Sequence, residues 1–396
     1  MCGVVAVLRR RSTTPPPDAG ALGAEVDAAL ASLTAGPGGL AGAAAGFEAL
    51  DGHLRGPGGV RVLAAHPELA ARLDGAMAEA RSTIAGLEAD LDAQRLPLTG
   101  AELEAANAAI VRLKDAVWAI ASDRLRAARE VMALAAGTDG TGGAGAGSSA
   151  AEVGDAALEA YWAVHVALSA IDRLEVRGRE SAGIHLLVTG HELDPSDAEI
   201  ARRAGDPLFR SGSVRLVPDS GLVQPGGGPA LAFVYKAAAE IGELGDNVRS
   251  VRAAVAGDGL LRRALAGADA EITVVGHTRW ASVGLISEAN AHPLNSEAAF
   301  PGDTPDPGGG ERGPYVAAAL NGDVDNHLEL RATEQLATPD EITTDAKVIP
   351  MLVSRRMAEG AGPGEAFRRT VTTFEGSVAI AANAAADPST VLLALR

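Results

Sequence analysis

The chain has 396 residues, and its 51 acidic residues outnumber its 34 lysines and arginines, so the formal net charge is −17. An apolar fraction of 47% is enough to build a core, which argues against a wholly disordered protein. The acidic balance argues against a nucleic-acid partner, because a phosphate backbone attracts clustered Lys and Arg. No run reaches the roughly 18 to 20 consecutive apolar residues that span a bilayer, so we expect no membrane segment.

The chain begins with Met1-Cys2-Gly3, and Cys2 is its one cysteine. One cysteine excludes an internal disulfide and a cysteine-based zinc site, and the eight histidines are not spaced with carboxylates as metal ligands. We therefore predict no metal and no cofactor. Val4–Leu8 is too short for the apolar core of a signal peptide, and Arg9–Arg11 follow it instead of preceding it. These features predict a cytoplasmic protein.

Cys2 becomes the N-terminal residue if the cell removes Met1, and its thiol and α-amino group then belong to one residue. An α-amino group titrates near ~7.7 to 8.0, so it can take the thiol proton and activate the sulfur as a nucleophile. Gly3 keeps the approach to the sulfur open. In the alternative interpretation, Cys2 is an accident of the start of the chain and precedes an ordinary buried strand. The tripeptide alone does not decide between the two.

Residues 12–155 lack the features of the segments around them. They begin with a Ser/Thr/Pro linker and end in a Gly/Ala/Thr/Ser run at 137–150, and both are flexible by composition. Thr99-x-x-Glu102 predicts a capping box at the start of a helix. Two apolar series at helical spacing flank it: Leu69, Leu73, Met77, Ile84, Leu87 and Leu91, then Leu103, Ile110, Leu113, Val117, Ile120 and Val131. We predict a helical hairpin that props the rest of the molecule, with a partner-binding arm as the alternative.

Four segments further along place polar groups at strand ends or in turns, where functional residues often lie. Singly, each has a plainer interpretation as a surface charge, a helix cap, a turn or a core residue. The segments are Arg177–Gly183 before the strand Ile184–Val188, His277–Ser282 with Asn290–Pro293 after Ile272–Val275, Asn321-Gly322 after Tyr315–Leu320, and Thr343–Asp345 before a helix near Lys347.

Together with Met1-Cys2-Gly3, and in this order, these segments resemble the glutaminase domain of class II glutamine amidotransferases, the N-terminal-nucleophile type. His277–Ala281 followed by Glu288–Pro293 is most similar to glucosamine-6-phosphate synthase, also called glutamine–fructose-6-phosphate aminotransferase (isomerizing). Residues 177–184 also resemble amidophosphoribosyltransferase. The resemblance implies an α+β fold, a four-layer αββα sandwich of the N-terminal-nucleophile hydrolases with the helical hairpin inserted. It also implies L-glutamine as the substrate.

The resemblance implies a role for each matching residue. Cys2 is similar to the nucleophile that attacks the glutamine amide and becomes a γ-glutamyl thioester, and Asn321 and Gly322 match the oxyanion hole. The substrate-binding matches are Arg279 for the α-carboxylate, Asp345 for the α-ammonium group, Trp280 as a lid, Ser282 near the carboxylate, and Arg177 for ordering the N-terminal residue.

The matching pieces assign residues 1–11 and 156–396 to the glutaminase domain and residues 12–155 to the insertion. In the family, further strands and a sugar-phosphate isomerase domain follow, and both are missing from this chain. We therefore expect a C-terminally incomplete sandwich that on its own hydrolyses glutamine at best. Its expected partners are glutamine and such an isomerase domain, and a homodimer is compatible with this interpretation.

Two alternatives stay open. One is a glutaminase that serves another synthase, such as the amidophosphoribosyl type, although Trp280 and Asn290–Pro293 favour the amino-sugar branch. The other is a non-catalytic module that binds glutamine without turning it over. The sequence alone does not identify the molecule that accepts the ammonia.

Overall fold

The computed structural model describes residues 2–138, 153–218, 228–239, 243–297 and 313–396. The chain divides into two compact units. The first unit comprises Met1–Arg11, Leu134–Gly145 and Ala163–Arg396, and the second comprises Ser12–Ala133 and Ala146–Trp162. In the described ranges, no helix is both long enough and apolar enough to cross a bilayer.

The secondary structure of the described residues mixes strands and helices. The strands are β1 Gly3–Arg9, β2 Ser181–Thr189, β3 Val214–Val217, β4 Ala230–Ala238, β5 Glu271–Arg279, β6 Leu294–Asn295, β7 Val316–Gly322, β8 Val378–Ala384 and β9 Asp387–Leu395. The helices are α1 Ala19–Thr34, α2 Leu40–His53, α3 Gly56–Ala65, α4 Pro67–Asp92, α5 Gly100–Ala119, α6 Arg126–Ala136, α7 Asp155–Leu174, α8 Ala198–Arg203, α9 Asp246–Gly257, α10 Gly259–Leu265, α11 His327–Thr333, α12 Val348–Ala358 and α13 Pro363–Thr372.

The first unit contains a five-stranded antiparallel sheet in the order β1-β5-β2-β4-β3. The central strands β2, β4 and β5 are buried along almost their whole length, as expected for apolar strands covered on both faces. The register between β1 and β5 pairs Gly3 with Thr278. Cys2 therefore lies beside the C-terminal end of β5, where Arg279 is the last residue of the strand and Trp280 follows it.

A second antiparallel sheet has the order β6-β7-β8-β9. Its inner face packs on the first sheet through Ala319 and Ala381, which are buried against Val275, with Val4 and Ala6 partly buried beside them. Small side chains suit the narrow space between two facing sheets. On the outer faces, α9 packs against β2 and β4, while α12 packs against β7 and α13 against β9.

The second unit is helical and has its own apolar core, built from α1 to α5 and the π-helical segment Ile120–Leu125. The two predicted helices are present as α4 and α5, and the capping box of Thr99 and Glu102 is confirmed. The expectation of only a linker and a hairpin between residues 12 and 155 is incomplete, because α1, α2 and α3 precede them. The helix α2 is rich in Ala and Gly, so its sequence shows little amphipathic contrast, whereas α1 carries Leu22, Val26 and Leu33 at helical spacing after the N-cap Asp18. Most of the predicted flexible run at 137–150 lies outside the described residues.

Candidate active site

Cys2 lies between the ends of strands from both sheets. Its main-chain N–H donates to Oδ1 of Asn321, at the end of β7, over 3.3 Å. The main-chain N–H of Trp280 donates to the Cys2 sulfur over 3.3 Å. The structure thus brings together three of the residues predicted from the sequence, although they are far apart in the chain.

Asn321 and Gly322 end β7, and their geometry requires a glycine at the second position. Gly322 has φ of +123°, and a Cβ there would lie 1.9 Å from the carbonyl oxygen of Ser377. An L-residue cannot occupy this position without moving the backbone. The amide contacts Cys2 through its oxygen, and no acceptor for Nδ2 of Asn321 occurs among the described residues. The amide nitrogen is therefore available to a ligand beside the sulfur.

Burial raises the pKa of the Cys2 thiol, and the charge of Asp323 adds to this effect. The hydrogen bond from Trp280, the positive N-terminus and Arg279 oppose it without cancelling it. The thiol is therefore protonated at neutral pH, and a reaction at its sulfur requires a base to take the proton.

Arg279 is 3% exposed, although it carries a guanidinium group. The side chain donates to the carbonyl oxygens of Val283 and, over 3.0 Å, Leu285 in the loop that follows β5. Burial lowers its pKa, whereas the nearby acidic groups of Asp345, Cys2 and Glu180 act in the opposite direction. Arg279 is thus a buried cation facing several acidic groups.

Asp345 begins the short 3-10 helix Asp345–Lys347 and is 4% exposed. Its carboxylate accepts a 2.7 Å hydrogen bond from the Val324 N–H and a 3.3 Å bond from Oγ1 of Thr344. Burial raises its pKa, and the nearby charge of Asp323 raises it further. The charge of Asp345 also acts on Arg279, so the two predicted anchoring residues are near enough to influence each other.

The other three predicted residues differ in their surroundings. Trp280 is 54% exposed, and its contact with the sulfur is made by its main-chain nitrogen. Ser282 donates its hydroxyl to Asp323. Arg177 is exposed, and among the described residues no hydrogen bond or ion pair joins it to Cys2.

The sequence analysis missed two acidic residues of the site. Glu180 accepts the main-chain N–H of Ala281 and is one of the charges that act on Arg279. Asp323 accepts from Ser282 and raises the pKa of both Cys2 and Asp345. Glu180 lies inside the segment Arg177–Gly183, and Asp323 directly follows Asn321-Gly322. Their position in those segments was the available signal.

Two histidines lie buried behind Arg279. The rings of His277 and His292 are 4.5 Å apart between their centroids. Burial and the charge of Arg279 lower the pKa of His277 to about 3, and burial lowers that of His292 well below its usual value. Both rings are therefore neutral at physiological pH, and neither serves as a cation in the site. No cluster of three or more metal-binding side chains occurs among the residues that the structure describes.

Comparison with known proteins gives relatives for part of the chain. No family model matches it. The glutamine–fructose-6-phosphate aminotransferase (isomerizing) of Halalkalibacterium halodurans is 32% identical over 117 residues, which is 30% of this chain and 17% of the relative. The enzyme of the same name from Sulfurisphaera tokodaii is 33% identical over 109 residues, 27% of this chain and 16% of the relative. The chain thus spans only about one sixth of the length of these relatives.

Among solved structures, the glutamine phosphoribosylpyrophosphate amidotransferase of B. subtilis aligns with 54% of this chain and 37% of its own, at 16% identity. Its TM-score of 0.26 is too low to support an argument. The sequence relatives are sufficient to confirm the class: part of this chain resembles the class II glutamine amidotransferases, as its motifs predict. Within that class, the similarity is to glutamine–fructose-6-phosphate aminotransferases.

Proposed function

We propose that residues 1–11 and 156–396 form a glutaminase domain that hydrolyses the side-chain amide of L-glutamine through Cys2. The contact between the Cys2 main-chain nitrogen and Asn321 Oδ1 carries the proposal, because it places a thiol beside an amide whose nitrogen is free to donate. The two facing sheets, with helices on their outer faces, support assignment to the four-layer αββα sandwich of N-terminal-nucleophile hydrolases.

The reaction begins after removal of Met1. The free α-amine of Cys2 takes the thiol proton, and the sulfur attacks the δ-carbon of glutamine. The N–H groups of Asn321 and Gly322 stabilise the oxyanion that forms. Collapse of this intermediate breaks the C–N bond, and the α-ammonium group returns the proton so that ammonia leaves. Water then attacks the γ-glutamyl thioester, which releases glutamate and restores the thiol.

The charged groups of the site match the two ends of a free amino acid. Arg279 binds the α-carboxylate, with Ser282 beside it, and Asp345 binds the α-ammonium group. Trp280 covers the bound substrate, and Arg177 orders the surroundings of the N-terminal residue. The interaction between Arg279 and Asp345 supports this assignment, because the two charges of glutamine are also close together.

We further propose that the ammonia aminates fructose 6-phosphate at a sugar-phosphate isomerase domain that acts with this chain. The names of the relatives support this choice, since both are glutamine–fructose-6-phosphate aminotransferases. Genes for an isomerase-like domain beside this gene would favour this acceptor, and genes for a phosphoribosyl-transfer domain would argue for another one.

Glutamate release from glutamine tests the reaction, with Cys2→Ala as the control. We expect release by the wild-type protein only. Intact mass after treatment with an electrophilic glutamine analogue should show loss of Met1 and one added label at Cys2. A retained Met1, or release that is equal in the variant, would contradict the mechanism.

A further inference from the structure

The two proposed substrate-anchoring residues depend on two loops. The first loop, residues 280–293, follows β5 and supplies the carbonyl groups of Val283 and Leu285 that hold the Arg279 guanidinium. The second loop, residues 334–344, leads directly into Asp345. The distance between the cationic and anionic anchors is therefore set by how these loops are joined.

Asn290 of the first loop joins them through its side chain. Its Oδ1 accepts the main-chain N–H of Thr343 over 2.8 Å and that of Thr344 over 2.9 Å. Its Nδ2 donates to the carbonyl oxygen of Glu341 over 2.8 Å and to Oγ of Ser287 over 3.0 Å. The side chain is completely buried, so water does not replace these bonds while the site stays folded.

Two further contacts show that the first and second loops pack closely together. The Leu285 N–H donates to Oγ1 of Thr343 over 3.0 Å. Gly284, with φ of +89°, lies so near the second loop that a Cβ there would be 2.8 Å from the nitrogen of Thr344. Leu285 thus bonds to the second loop through its nitrogen and to Arg279 through its carbonyl oxygen.

We propose that Asn290 is a positioning residue that fixes the spacing of Arg279 and Asp345 and so determines the affinity for glutamine. The proposal rests on the proposed function. Because the α-carboxylate and α-ammonium groups of an amino acid are a fixed short distance apart, two anchors that drift relative to each other cannot bind both. Among the described residues, the hydrogen bonds of the Asn290 side chain go to its own loop and to the second loop, and none goes to Cys2 or Asn321. It therefore acts on substrate binding and leaves the reactivity of the thiol unchanged.

The test is steady-state hydrolysis of glutamine by Asn290→Ala, with Asn383→Ala as a matched control. Asn383 is also buried, and its amide on β8 donates to the carbonyl of Thr390 on the neighbouring strand β9 over 2.9 Å. We expect Asn290→Ala to raise KM for glutamine by about tenfold to a hundredfold, with kcat within about threefold of the wild-type value. Asn383→Ala should lower the melting temperature without changing KM.

Thr343→Val is a milder variant that tests the same proposal if Asn290→Ala does not fold. Thr343→Val removes the hydroxyl that accepts the Leu285 N–H over 3.0 Å and donates to Oδ1 of Asn290 over 3.4 Å, while the two main-chain bonds to Asn290 Oδ1 remain. We expect a smaller rise in KM in the same direction. A second readout is alkylation of Cys2 by iodoacetamide, which should proceed at the wild-type rate in both variants. Glutamine should protect Cys2 in the wild type, and at least about tenfold more glutamine should be needed in Asn290→Ala.

The outcomes separate the two proposals. If wild-type protein shows neither turnover nor protection by glutamine, the proposed function fails, and the role of Asn290 fails with it. If the wild type is active but Asn290→Ala and Asn383→Ala have the same KM, only the positioning role is overturned. Equal loss of kcat and of alkylation rate in Asn290→Ala would also overturn it, because that pattern indicates general damage to the site.

Discussion

The main-chain nitrogen of Cys2 lies 3.3 Å from Oδ1 of Asn321, a residue 319 positions away in the chain. The contact exists because β1 pairs with β5 in one sheet while Asn321 ends β7 in the other. The side-chain oxygen of Asn321 faces the Cys2 nitrogen, and in the proposed reaction the amide nitrogen donates to the substrate oxyanion. One side chain thus serves two parts of the proposed reaction.

Two substitutions of Asn321 separate these parts. We expect Asn321→Ala to lower kcat for glutamine hydrolysis by about 10² to 10³, as loss of an oxyanion-hole donor does elsewhere. Asn321→Asp keeps the oxygen that accepts from the Cys2 nitrogen, but it replaces the donating amide nitrogen with a second carboxylate oxygen. It should lose kcat to a similar degree, as measured by glutamate release. If Asn321→Asp kept its activity, only the oxygen that accepts from the Cys2 nitrogen would be needed. That result would contradict the role of the amide nitrogen as a donor to the oxyanion.

Gly322→Ala should disrupt the site by a steric route. The new Cβ would collide with the carbonyl oxygen of Ser377, at a backbone conformation that L-residues rarely adopt. We expect a lower melting temperature and loss of glutaminase activity. Gly86→Ala in α4 is the control, because nothing lies within 4 Å of its Cβ position, and it should stabilise the helix by about 0.5 to 1 kcal/mol. Similar melting temperatures for the two variants would contradict this prediction.

Lys236 makes the stability of the first unit dependent on pH. The side chain is 2% exposed on β4, and its Nζ has no hydrogen-bond partner among the described residues. Burial, together with the charge of Lys347, lowers its pKa to about 7. Between pH 7 and its ordinary pKa, the unfolded chain therefore binds more protons than the folded one. The free energy of unfolding should rise with pH across this window.

Lys236→Met tests this dependence by urea denaturation between pH 7 and pH 9. The variant should be more stable than the wild type by about 1 to 3 kcal/mol at pH 7, because a polar group without a hydrogen-bond partner has been removed from the core. The difference should narrow as the pH rises. Lys114→Met, at an exposed position, controls for the loss of one positive charge. A difference that is independent of pH would contradict the assignment.

Thr99 stabilises the second unit by capping α5. Its side chain accepts the Glu102 N–H, while the Glu102 carboxylate accepts the Thr99 N–H over 2.7 Å. Thr99→Ala should cost about 1 kcal/mol of unfolding free energy, and Thr99→Ser should cost much less because it keeps the hydroxyl. Thermal unfolding followed by helical circular dichroism measures both. Equal melting temperatures for Thr99→Ala and the wild type would show that the cap does not stabilise the folded unit.

Local patterns were sufficient to predict the elements whose causes are local. The capping box at Thr99 and the helices α4 and α5 follow from spacing that repeats with the helical turn. The helices α1 to α3 were missed. In α1 a local signal was available, because Leu22, Val26 and Leu33 fall at helical spacing after the capping Asp18, whereas the Ala- and Gly-rich α2 shows only a weak pattern.

The sequence alone determined which residue types could perform amide chemistry: a cysteine at the start of the chain, an Asn-Gly pair at a strand end, and one Arg and one Asp in recognisable segments. Only the tertiary structure decided that Cys2 and Asn321 meet, that Glu180 and Asp323 join the site, and that Arg177 lies exposed. It also showed that Asn290 ties the two anchoring loops together. The physical reason is that contacts between distant segments depend on strand register and on the packing of one sheet against another, which no local pattern encodes.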